Sequence, residues 1–124
     1  MKRSLILAMP LALLASPAFA TGGFHCSATD GSGIAMSGTV GRVVGNPLVG
    51  AALHLGERTL STTDQSAQIA IGRSWLDERE IRVDLVDANA ERFEAQLRVR
   101  VTRRRVAGTL VRQGRTHPVR CETE

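Results

Sequence analysis

The chain is 124 residues long, with 16 Lys and Arg against 12 Asp and Glu, a formal charge of +4 and 3% aromatic residues. That length fills one domain around one modest core. The mild net charge names no partner; the distribution of charge along the chain is more informative.

Met1-Lys2-Arg3-Ser4 is a short basic opening, followed by an apolar run over residues 5–14 and by Ala18-Phe19-Ala20, an A-x-A cleavage pattern. This series reads as a bacterial Sec-type signal peptide, residues 1–20, cut after Ala20. The apolar run is too short to serve as a transmembrane segment. Thr21 rather than a cysteine follows the cut, which argues against a lipoprotein anchor. The expected destination is the periplasm or the external medium, and the expected mature unit is a single domain, residues 21–124. That unit carries 14 arginines, no lysine, no tyrosine and a charge of +2. Cys26 and Cys121 lie near its two ends, and an even pair in an oxidising compartment reads as a disulfide. On the chain-entropy account, closing so long a loop contributes about 4–5 kcal/mol.

In chain order, Phe24, Cys26 and Ala28 alternate with His25, Ser27 and Thr29, the pattern of a half-buried strand. Asp30-Gly31-Ser32-Gly33 is turn chemistry. Ile34, Met36, Gly38 and Val40 mark a second strand, and Gly45-Asn46-Pro47 breaks the chain again. Ala51, Leu53 and Leu55 mark a third, with His54 outward, and Gly56-Glu57 turns it into a short run over residues 58–62. Ala67, Ile69 and Ile71 form the next strand before Gly72. Ser74 with Asp77 resembles a capping box, which predicts one helical turn carrying Trp75 and Leu76 as a lid over the core's end. Ile81, Val83 and Leu85 resume the alternation, and residues 87–90 turn the chain back.

Residues 93–102 alternate without error: Phe93, Ala95, Leu97, Val99 and Val101 on one side, Glu94, Gln96, Arg98, Arg100 and Thr102 on the other. A four-residue loop from Thr102 to Arg105 sets Val101 against Val106, Val99 against Gly108 and Leu97 against Leu110. A Gln113-Gly114 hairpin turn then sets Leu110 against His117, Gly108 against Val119 and Val106 against Cys121. Both hairpins agree on one apolar inner face, and a slip of one residue would expose all of it. The outer face receives Arg100, Ala107 and Arg120 in one row and Arg98, Thr109 and Pro118 in the next. One register of the preceding hairpin sets Glu78 and Glu80 against Arg100 and Arg98. Seven to nine short strands in a meander predict an all-β antiparallel barrel or sandwich tied by one disulfide.

Three histidines occur, His25 and His54 outward and His117 inward, without the spacing of a metal site. The expectation for His117 is a partly buried ring hydrogen-bonded to backbone. No nucleophile elbow, phosphate loop or cofactor motif is present, and the carboxylates Glu78, Glu80, Asp84 and Asp87 read as solvated edge and turn. No metal, cofactor or enzymatic site is therefore expected. From Arg98 to Arg120 there are eight arginines and no acid. Arg98, Arg100 and Arg120, with Arg103, Arg104 and Arg105 at the hairpin tip, form the candidate anion-binding face. Arginine forks suit phosphate and carboxylate groups. In an envelope these would belong to a lipid headgroup, lipopolysaccharide, an acidic glycan or an acidic protein. Nucleic acid is not expected, because no exposed aromatic interleaves the arginines and the compartment is wrong. The competing reading is a charged face that keeps sheet edges apart.

Phe24-His25-Cys26 and Gly114-Arg115-Thr116-His117-Pro118-Val119-Arg120-Cys121 resemble the two ends of the small periplasmic inhibitors of C-type lysozyme. That resemblance implies an antiparallel barrel with a bridging cysteine on its last strand. The family's S-G-x-x-Y inhibitory loop has no counterpart here, so no functional residue carries over. Two alternatives thus stand beside the anion-binding module: a lysozyme-inhibitor-like protein, and an interaction module that pairs through a sheet edge.

Overall fold

The computed structural model describes residues 22–41 and 48–123; the signal-peptide reading and the Gly45-Asn46-Pro47 break lie outside them. Nine strands follow in chain order: β1 Gly22–Ala28, β2 Ile34–Val40, β3 Leu48–Leu55, β4 Arg58–Ser61, β5 Ile69–Leu76, β6 Glu80–Asp87, β7 Phe93–Val101, β8 Val106–Arg112 and β9 Arg115–Thr123. They form one sheet in the order β4-β3-β2-β1-β9-β8-β7-β6-β5, and every ladder is antiparallel. Seven ladders join strands consecutive in sequence; the eighth, β1 with β9, joins the two ends of the chain.

The sheet curls into a nearly closed barrel, which decides between the barrel and sandwich expectations. The edges β4 and β5 come together without a ladder. Because nine strands alternate in direction, these two edges run the same way. Hydrogen-bonding them would require a parallel crossover of about a dozen residues, and residues 62–68 are too few. Among the described strands, this seam holds the two free edges at which a partner strand could add.

The interior is filled by Met36, Leu53, Leu85, Leu97, Leu110, Val83 and Cys26, all fully buried. Cys26 and Cys121 are direct cross-strand partners and are bonded to each other. Registers of the C-terminal ribbon are as expected: Leu97 opposes Leu110, Val99 opposes Gly108, and these oppose His117 and Val119 on β9. Gln113 and Gly114 both take positive φ, 52° and 78°, the demand of a type I′ hairpin. The tip from Thr102 to Arg105 is closed by Thr102 N–H donating to the Arg105 carbonyl at 2.9 Å, so no arginine adopts a left-handed backbone there.

The two aromatic expectations fail for a common reason. There is no helical turn at residues 74–77; β5 runs on through Leu76, and the register jumps between Ile71 opposite Leu85 and Ser74 opposite Val83. One extra residue in this bulge reverses the alternation. Trp75 therefore points outward, opposite Arg82 and 51% exposed, while Leu76 points inward against Ile81. A second shift, at Leu85/Val86, sets Phe93 against Val86 and leaves it 58% exposed instead of in the core.

Candidate anion-binding face

The outer surface of β6 to β9 is ordered in rows across the strands. Glu80, Arg100, Ala107, Arg120 and Ser27 make one row; Arg82, Arg98, Thr109 and Pro118 make the next. Relative to the register considered from sequence, the acids are displaced by two residues. Glu80 faces Arg100, Arg82 takes the place opposite Arg98, and Glu78 faces neither. Small side chains on β8 leave a trough between the arginines of β7 and those of β9. A depression of about 480 Å³ lies there, lined by Arg100, Arg105, Ala107, Gly108, Arg120 and neighbouring threonines. A second, of about 560 Å³, shares Arg100, Ala107 and Gly108 and continues to Arg79, Arg82 and Arg98.

The six arginines singled out from sequence do not behave alike. Arg98 is committed: its guanidinium bonds the Asp84 carboxylate at 2.9 Å and its neighbour's carbonyl, Leu97 O, at 2.8 Å. Asp84 is only 5% exposed and also receives the Gln96 amide at 3.5 Å, which corrects its assignment to a solvated edge. Among the described residues, Arg100, Arg103, Arg104, Arg105 and Arg120 have no carboxylate partner. Arg100, Arg105 and Arg120 converge on one trough, whereas Arg103 and Arg104 project from the hairpin tip and line neither depression. Arginines without an internal counterion, on a floor too small to screen them, present free bidentate donors to an anion.

Two polar clusters lie outside the trough. His117, expected on backbone, instead bonds the Asp30 carboxylate at 2.7 Å, tying the β1–β2 turn to β9. The Ser32 hydroxyl, then the His117 ring and the Ser32 N–H, hold the Asp30 carboxyl down to about 2 from its ordinary 3.8. A carboxyl depressed on folding stabilises the native state at pH above 3.8, and the effect is lost as pH falls through 3.8 toward 2. Urea titrations should show the wild type losing stability over that window and Asp30→Asn, already weaker at neutral pH, losing less. Equal acid slopes would remove Asp30 from the account.

On the opposite side of the barrel the Ser37 hydroxyl meets His54 Nε2 at 3.1 Å, and His54 Nδ1 meets the Thr59 hydroxyl at 3.3 Å. His25 lies beside this chain, its ring 5.7 Å from that of His54. Burial, then the charge of His25, lowers the His54 pKa. The serine and histidine have the contact of a nucleophile and base, but a threonine hydroxyl stands where a carboxylate would hold the imidazolium. Sequence reasoning missed this cluster; its signal is the shared outward parity of Ser37, His54 and Thr59 on adjacent strands.

One barrel mouth is an apolar depression of about 380 Å³ among Phe24, Val40, Leu76, Ile81 and Val101, with Asp77 and Glu78 also lining it. Among the described residues no cation lines it, and it is separate from the trough. No described helix is long and apolar enough to cross a membrane. Comparison with protein-family models, with curated proteins and with solved structures finds no match.

Proposed function

We propose that this protein is a secreted or periplasmic, non-catalytic binding module that takes an anionic envelope component or acidic protein on its arginine face. The observation that carries the reading is the convergence of Arg100, Arg105 and Arg120, all without carboxylate partners among the described residues, on one depression floored by Ala107 and Gly108. A face that served only solubility would scatter its charges or pair them. Here the free guanidiniums sit together, and the one beside them that is paired, Arg98, is anchored from below.

The test separates a site from bulk charge. Arg100→Gln/Arg105→Gln/Arg120→Gln and Arg103→Gln/Arg104→Gln/Arg115→Gln remove the same charge, the second set from positions outside the trough. Each exposed arginine pair is worth about 0.2–1 kcal/mol. The trough variant should therefore bind an anionic matrix roughly tenfold more weakly at low salt than the control triple, with both folded by circular dichroism. Co-elution of the two triples across a salt gradient would reduce the face to net charge and end the proposal.

A further inference from the structure

Trp75 changes what the arginine face can recognise. The row through Arg82 and Arg98 continues past β6: Trp75 on β5 is the cross-strand partner of Arg82. The sequence thus ran Trp75, Arg82, Arg98, Thr109 and Pro118 into one line over five strands. At about 4.8 Å per strand this line spans about 19 Å. The depressions run with it. One of about 480 Å³ lies among Arg73, Trp75, Arg82, Asp84 and Arg98. It shares Arg82 and Arg98 with the central depression, which shares Arg100 with the trough at Arg120. The three depressions therefore adjoin one another across the sheet, with an aromatic at one end and unpaired arginines at the other.

Trp75 is exposed but fixed. Its indole N–H donates to the Asp77 carboxylate at 2.8 Å, and the other Asp77 oxygen accepts the backbone N–H groups of Arg79 and Glu80 at 2.7 and 2.9 Å. With its N–H already used, the indole offers a flat apolar face rather than a donor. Two carboxylates line the same groove: Glu80, part-exposed and 3.4 Å from Arg82, and Asp84, buried and taken by Arg98 at 2.9 Å. Glu80 keeps lone pairs open to hydroxyl donors, which a chain of anionic acceptors alone does not supply.

We infer that the groove binds an acidic polysaccharide, a chain bearing both hydroxyls and carboxylates. This rests on the anion-binding reading and names its ligand class. A sugar ring stacks on Trp75, hydroxyls of the chain bond Glu80, and carboxylates farther along meet Arg100, Arg105 and Arg120. A deoxyribose phosphodiester backbone lacks the hydroxyl donors, and a single aromatic at the groove's end does not supply the repeated stacking of a single-stranded nucleic-acid site. The aromatic beside the arginines does remove one ground on which sequence had set nucleic acid aside, so the experiment includes it.

Trp75 is the only tryptophan, so its fluorescence reports on the groove directly. The mature oxidised protein would be titrated with oligogalacturonate, neutral dextran, polyphosphate and a short oligothymidylate, with affinities from calorimetry. Oligogalacturonate should shift the Trp75 emission and bind most tightly. Trp75→Ala should weaken it roughly tenfold while leaving polyphosphate affinity unchanged. If Trp75→Ala leaves oligogalacturonate binding intact, or if polyphosphate or oligothymidylate binds as tightly, the polysaccharide assignment is overturned. In either case sensitivity to the Arg100/Arg105/Arg120 substitutions would leave the anion site standing; insensitivity would end both.

Discussion

Replacing both Cys26 and Cys121 with alanine is expected to lower the stability of the domain by about 4 kcal/mol. The bridge spans 95 residues, and its place in the sheet explains the size of the effect. Seven of the eight ladders are hairpins between consecutive strands and close short loops. Only β1 with β9 must find its partner across the whole chain, and the entropy of that closure is the largest in the fold. The disulfide joins directly opposed residues on that ladder, so it removes the closure cost from folding where it is greatest. Both half-cystines are buried in the core, Cys26 completely, so a packing loss adds to the entropic one. A domain of this size holds about 5–15 kcal/mol in total, and the thermal midpoint should fall on the order of 20 °C. Urea unfolding of the double variant checks this. A loss below about 1 kcal/mol would mean that the β1–β9 ladder closes without covalent help.

Gly108→Ala should cost about 3 kcal/mol, more than any ordinary surface change in a strand. A Cβ at this position would overlap the Arg98 carbonyl oxygen and lie 2.7 Å from Val99 Cα. These are backbone atoms of β7, which cannot turn aside as the end of a flexible side chain could. The close approach of β7 and β8 at Gly108 is part of the bend that curls the sheet, and the same glycine lines both depressions of the arginine face. Ala107→Val, one residue away on the outer side, should stay within about 0.5 kcal/mol in the same denaturation series. If the two variants unfold alike, the curvature does not depend on Gly108. The proposed anion site and the barrel share this residue, so its loss should weaken retention on an anionic matrix even in protein that remains folded.

The rows that make the candidate site were legible because β7 to β9 alternate strictly and two turn sequences fix their pairing. Once Leu97, Val99 and Val101 must face inward, Arg98 and Arg100 have no other place than the surface. Periodicity could not tell a committed arginine from a free one. Asp84 reads as a solvated acid by sequence, yet it is buried beneath the outer face and takes Arg98 as its partner. Likewise His117 was placed inward correctly, but its partner Asp30 is remote in sequence and is brought close only by the β1–β9 ladder.

The all-β meander, the inner face of the ribbon, the cysteine pairing and the outward arginines were thus determined by the sequence alone, since each follows from local alternation or from the scarcity of cysteine. Barrel closure, the open β4–β5 seam and the exposure of Trp75 and Phe93 were decided by tertiary structure. The physical reason is that a period-two pattern carries parity only until one residue is inserted. The bulge after Ile71 and the shift at Leu85/Val86 each reverse that parity. Such shifts accompany the curving of nine strands around one small core, a property of the curled sheet rather than of any one strand. That reversal moved Trp75 from a lid over the core's end to the end of the arginine groove.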